Sequence, residues 1–151
     1  MDVLSASSSD NKIAWYANDG SGNFGTQQVI TTAALNVKGI YATDLDGDGD
    51  MDVLSASNLD DKIAWYPNDG TGNFGSQLVI TTAADGAYDV YATDLDGDGD
   101  MDVLSASFSD DKIAWYENQL ATPVTSTATQ FGTGCGTVSY THLTLPTICS
   151  V

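Results

Sequence analysis

Arginine is absent from the 151 residues, glutamate occurs once, at Glu117, and histidine once, at His142. Cysteine is nearly as scarce, with Cys135 and Cys149 alone. Four lysines, Lys12, Lys38, Lys62 and Lys112, stand against 21 acids, for a net charge of −17. So acidic a chain repels phosphate backbones, which argues against nucleic acid as a partner. No apolar run reaches the eighteen residues of a membrane-spanning helix. The opening Met-Asp-Val-Leu-Ser lacks the basic, apolar pattern of a secretory leader. No P-loop occurs.

What is abundant is aspartate. All the acids but Glu117 are Asp. Solubility alone would accept Glu as readily. A preference for the shorter side chain points to tight loops of the kind that hold hard cations. Apolar residues make up 42%, enough for a core.

The chain repeats itself. Residues 1–50 and 51–100 align without a gap and differ at 13 positions, and a third copy runs from Met101 through Asn118. Gly and Asn-Asp-Gly clusters interrupt every unit, so helix is not expected. Each full unit predicts four short strands: Gly39–Asp44, Asp52–Ser57, Lys62–Tyr66 and Gln77–Thr81, with Asp89–Asp94 beginning the next set. Turn chemistry separates them at Asp60-Asp61, at 68–73 (NDGTGN) and at 94–99 (DLDGDG). Four antiparallel strands per fifty residues is the period of a propeller blade. The expected fold is all-β, an incomplete β-propeller over 1–118 with about two and a half blades. Such a piece belongs to something longer or assembles with other copies through its missing-blade edges.

After Asn118 the repeat fails. Residues 119–137 read as a linker or the start of another domain. Val138–Thr147 reads VSYTHLTLPT. It resembles the translation of an adapter used in DNA sequencing libraries, and 138–151 are set aside as a non-native tail. With them go His142 and Cys149. One cysteine then remains and no histidine, so no internal disulfide, Ser-His-Asp or Cys-His set is available. No enzyme is expected within these residues.

The acidic loops carry the chemistry. Asp44, Asp46, Asp48, Asp50 and Asp52 occupy alternate positions, as do Asp94, Asp96, Asp98, Asp100 and Asp102. Five carboxylates in nine residues repel one another unless a cation neutralises them. Ca2+ takes six to eight oxygens, and a loop alternating Asp with Gly can curl to supply them. An EF-hand would need a Glu at position 12, where Ser55 and Ser105 stand, and flanking helices. A glycosidase pair would be one differentiated site, not two equivalent loops.

A D-x-D-x-D-G-x-x-D loop between strands, a DVLSAS strand and a GNFG turn together resemble the FG-GAP/VCBS repeats of integrin-like propellers, over residues 1–118. The resemblance implies calcium held by Asp44, Asp46, Asp48, Asp52 and the Asp50 carbonyl, and by the equivalent residues of the second loop. Asp2 matches the last ligand of a loop whose first part is not in the chain. The resemblance further implies an extracellular or cell-surface, non-catalytic module for adhesion or for binding a protein or glycan ligand. The alternative is a scaffold or targeting module of a larger secreted enzyme.

Trp15, Trp65 and Trp115 recur beside Tyr16, Tyr66 and Tyr116. Such pairs can bind sugars, but at one position per unit they read as packing between blades. Phe24 and Phe74 read as loop plugs. Lys12, Lys62 and Lys112 are expected to pair with nearby Asp residues. Nine of the 13 differences between the repeats cluster at 8, 9 and 11 and at 35–40. In a meander these turns emerge on one side and the acidic and GNFG loops on the other. Ser8, Ser9, Asn58, Leu59, Phe108 and Ser109, with 35–40 and 85–90, are therefore expected to form the partner face.

Overall fold

A computed structural model describes residues 1–120. The linker and tail, with Phe131, Cys135, His142 and Cys149, lie almost wholly outside them. The described residues belong to a compact unit, Met1–Ala121. They contain ten strands and no helix.

The strands form three antiparallel sheets. The first holds β1 (Val3–Ser7), β2 (Lys12–Tyr16) and β3 (Gln28–Thr31). The second holds β4 (Val37–Thr43), β5 (Asp52–Ser57), β6 (Lys62–Tyr66) and β7 (Leu78–Thr81). In the third are β8 (Ala87–Thr93), β9 (Asp102–Ser107) and β10 (Lys112–Tyr116). Sequential neighbours pair throughout, as in propeller blades.

The DVLSAS and KIAWY strands match their expected bounds. The strand before each acidic loop starts two residues earlier than expected, because a bulge between Val37 and Gly39 lets Val37 pair with Ser57. The same shift lies between Ala87 and Asp89. A bulge adds a residue and hides strict alternation from a period-two reading. Asp44 and Asp94 leave the strand because their carboxylates turn back to accept loop amides.

Register assigns each side chain to one of two faces. Val53 opposes Tyr66 on one, and Leu54 opposes Trp65 on the other. Consecutive sheets stack these faces together. Ile13 of the first sheet packs with Val37, Val53 and Tyr66 of the second. Leu54, Ala56 and Ile63 of the second pack with Ala87, Val90, Ala92 and Val103 of the third. Each cluster is one junction between sheets. A buried Leu or Ile contributes roughly 1.5–3 kcal/mol there. Trp65 and Tyr66 are packing residues, as expected. Phe74 packs into the first junction, whereas Phe24, on the outer side of the first sheet, is exposed. That corrects the expectation for Phe24.

The turns follow from side-chain chemistry. Asn11, Asp61 and Asp111 end the turn between the DVLSAS and KIAWY strands, all with φ between 51° and 56°. Asn and Asp tolerate that left-handed conformation best after Gly. Asn11 and Asp61 also accept the backbone amides of Asn36 and Gly86, each at 2.8 Å. Two further backbone bonds clasp the next turn: Asn58 N to Asn36 O and Leu59 N to Leu35 O. Phe108 and Ser109 repeat this on Gly86 and Asp85. The varying positions of the two repeat units thus meet on one side, with Leu59 and Phe108 exposed on rigidly held backbone. Lys12–Asp10, Lys62–Asp60 and Lys112–Asp110 pair at 2.5–2.8 Å beside these turns. Surface pairs of this kind contribute little, because water screens the charges.

Candidate metal centre

The acidic loops join β4 to β5 and β8 to β9. Their curl is held by the carboxylates themselves. Asp44 accepts Gly47 N at 2.8 Å and Gly49 N at 3.0 Å, one on each oxygen. Asp46 accepts Asp48 N and Asp48 accepts Asp50 N. The second loop repeats every one of these bonds from Asp94, Asp96 and Asp98. Gly47, Gly49, Gly97 and Gly99 all have positive φ, which the curl requires.

Curling brings carboxylate oxygens together. Asp44, Asp46 and Asp48 each offer one oxygen within 4.8 Å of the others. In the second loop the corresponding group is Asp94, Asp96 and Asp102. Asp52 and Asp98 stand outside these two groups, as do Asp50 and Asp100. The Asp50 carboxylate lies instead against Gly70.

Asp52 and Asp102 have a further role. Both are fully buried. Asp52 accepts Leu45 N at 3.0 Å on one oxygen and Asn68 N at 2.8 Å on the other. Asp102 does the same with Leu95 N and Asn118 N. One aspartate therefore ties the acidic loop to the loop after the KIAWY strand. Burial pushes the Asp52 carboxyl up, against the two amides. The Asn118 amide holds Asp102 down, against its burial.

Asn68 and Asn118 are loop-tying residues that an aspartate pattern does not reveal. Their side-chain amides also bond Met51 O and Met101 O. The signal was present in the repeat: Asn118 is retained where the Asp-Gly that follows Asn18 and Asn68 is not.

The adjoining loop is braced separately. Asp69 accepts the Thr71 hydroxyl at 2.7 Å and the Thr71 amide at 2.9 Å. These bonds, the hydroxyl's first, lower its carboxyl from 3.8 to about 2. A lowered pKa stabilises the fold above pH 3.8, and the contribution is lost as pH falls towards 2. Asp69→Asn is expected to flatten the stability profile across that window. An NMR titration placing Asp69 near 3.8 would show that the bonds do not hold in solution.

The donor set fits a hard divalent cation. It is all oxygen, anionic and free of amine or thiol ligands. Carboxylate oxygens that accept an amide keep a second lone pair for a metal.

Comparison with known families matches residues 1–55 and 44–105 to the FG-GAP-like repeat. The chain belongs to this family. Its two matches span both complete repeat units and both acidic loops. FG-GAP-like repeats are structural and binding modules, typical of extracellular proteins. No curated protein and no solved structure is significantly similar to the chain. Among the described residues of this FG-GAP-like chain, no helix is long and apolar enough to cross a membrane.

Proposed function

We propose that the chain is a calcium-binding, non-catalytic extracellular propeller module for adhesion or ligand binding. The observation that carries the reading is the convergence of three carboxylates in each of two equivalent loops. Asp44, Asp46 and Asp48 would hold one ion, completed by the Asp50 carbonyl and Asp52. Asp94, Asp96, Asp98 and Asp102 would hold the other with the Asp100 carbonyl. Bound calcium supplies positive charge where the loops concentrate negative charge. Ligand contact belongs to the opposite side, where Leu59 and Phe108 are displayed.

Isothermal titration of the chelator-stripped protein with Ca2+ tests this. Two ions per chain are expected, and one for Asp46→Ala. Leu59→Ser with Phe108→Ser should retain both, because those turns lie at the other strand ends. Absence of saturable binding, or loss of both ions in the double-serine variant, would sink the assignment.

A further inference from the structure

An aspartate followed by glycine is the chemically weakest step of a protein backbone. The glycine nitrogen can attack the aspartate Cγ, because no Cβ stands in its way. A C–N bond forms, the carboxyl C–OH bond breaks, and water leaves with the amide proton. The resulting succinimide takes water back at either carbonyl. Addition at the side-chain carbonyl restores aspartate. Addition at the main-chain carbonyl gives isoaspartate, which carries one extra carbon in the backbone.

The chain contains seven such steps, with glycines at 20, 47, 49, 70, 86, 97 and 99. At six of them the attacking nitrogen is occupied by a side chain. Asp44 accepts Gly47 N and Gly49 N, and Asp94 accepts Gly97 N and Gly99 N. Asp61 accepts Gly86 N at 2.8 Å, and Asn18 accepts Gly20 N at 2.8 Å. A bonded amide must first be released by local opening before it can lose its proton and turn. Among the described residues Gly70 N has no such acceptor. Asn68 gives its side-chain amide to Met51 O, as Asn118 does to Met101 O, and the buried Asn68 Oδ1 is left without a partner. Asp69 and Gly70 are both exposed to water.

We propose that Asp69–Gly70 is the site at which the folded chain isomerises to isoaspartate, and that side-chain caps on the glycine nitrogen protect the other six steps. The bonds from Thr71 and Asn73 keep the Asp69 carboxylate ionised, which slows ring closure. They do not set it apart, because Asp46, Asp48, Asp96 and Asp98 also accept an amide two residues on. Asp85 is the converse case: its own carboxylate is not held by any of these bonds, and protection rests on the Asp61 cap alone. The modification lies next to Asn68, whose amide ties this loop to Asp52, so the aged chain should also melt lower than the fresh one.

Peptide mapping by mass spectrometry, with fragmentation that distinguishes isoaspartate from aspartate, tests this on the full chain. The protein is aged at neutral pH in calcium-containing buffer, folded by circular dichroism, and in parallel in urea with chelator. The unfolded chain should isomerise at all seven steps, and the folded chain at Asp69 alone. Asp61→Gly removes the Gly86 cap and accommodates the φ of 54° at that position. It should add Asp85 as a second site and leave the acidic loops unreacted, which also reports that the fold is kept. Three results would overturn the proposal: a folded chain that reacts in an acidic loop before Asp69, a folded chain unreacted at Asp69 while the unfolded one reacts there, or a folded Asp61→Gly chain that leaves Asp85 intact.

Discussion

Millimolar calcium is expected to raise the melting temperature of the chain by about 10 °C over the value in chelator. The estimate follows from linkage. An ion present at tenfold its dissociation constant stabilises by about 1.4 kcal/mol per site, so two sites give about 3 kcal/mol. For a unit of this size each kcal/mol moves the midpoint by roughly 3–5 °C. Two ions would bring the net charge from −17 to about −13, with the change concentrated where the carboxylates crowd. A circular dichroism melt measures the shift. Superimposed curves from a folded protein would demote both loops to solvated turns. Asp46→Ala should lose about half of the calcium-dependent rise and leave the chelator curve nearly unchanged.

Asp52→Ala is expected to cost about 2–5 kcal/mol even in chelator, because it strands two amides in a buried place. Those amides belong to Leu45 and Asn68, which the carboxylate holds at 3.0 and 2.8 Å. The repeat supplies the controls. Asp102→Ala removes the same pair of bonds in the outer sheet and should cost somewhat less. Asp2→Ala removes one bond, to Asn18 N, from an exposed carboxylate and should cost about 1 kcal/mol or less. Urea denaturation in chelator gives the three values. Equal losses at Asp2 and Asp52 would mean that burial does not strengthen the tie. Asp46→Ala thus isolates the calcium response, whereas Asp52→Ala removes a loop tie together with a proposed ligand and loses stability before calcium is added.

Much of the fold was legible because the repeat states it twice. Strand identity, blade period and the acidic loops all follow from spacing alone. The strand starts at Val37 and Ala87 were not legible. A bulge shifts register without leaving a composition signal. Nor was the distinction among the aspartates. The resemblance set Asp50 and Asp100 apart as carbonyl donors, but nothing in the spacing separated Asp52 from Asp44, Asp46 and Asp48. Only the curl of the loop brings the oxygens of Asp44, Asp46 and Asp48 together, lays Asp50 against Gly70 and gives Asp52 the amides of Leu45 and Asn68.

The sequence by itself determined what is local and periodic. Asn or Asp at the last turn position answers a positive φ. Gly alternating with Asp permits the curl, and apolar residues on both sides of each strand demand neighbours on both sides. Tertiary structure alone decided which copy of the same words is satisfied. KIAWY occurs three times, and its isoleucine is buried in the first two sheets and exposed in the third. Propensity and pattern are identical in all three, so the difference is not encoded in the pentapeptide. Burial belongs to a pair of faces, and a strand's own residues supply only one of them.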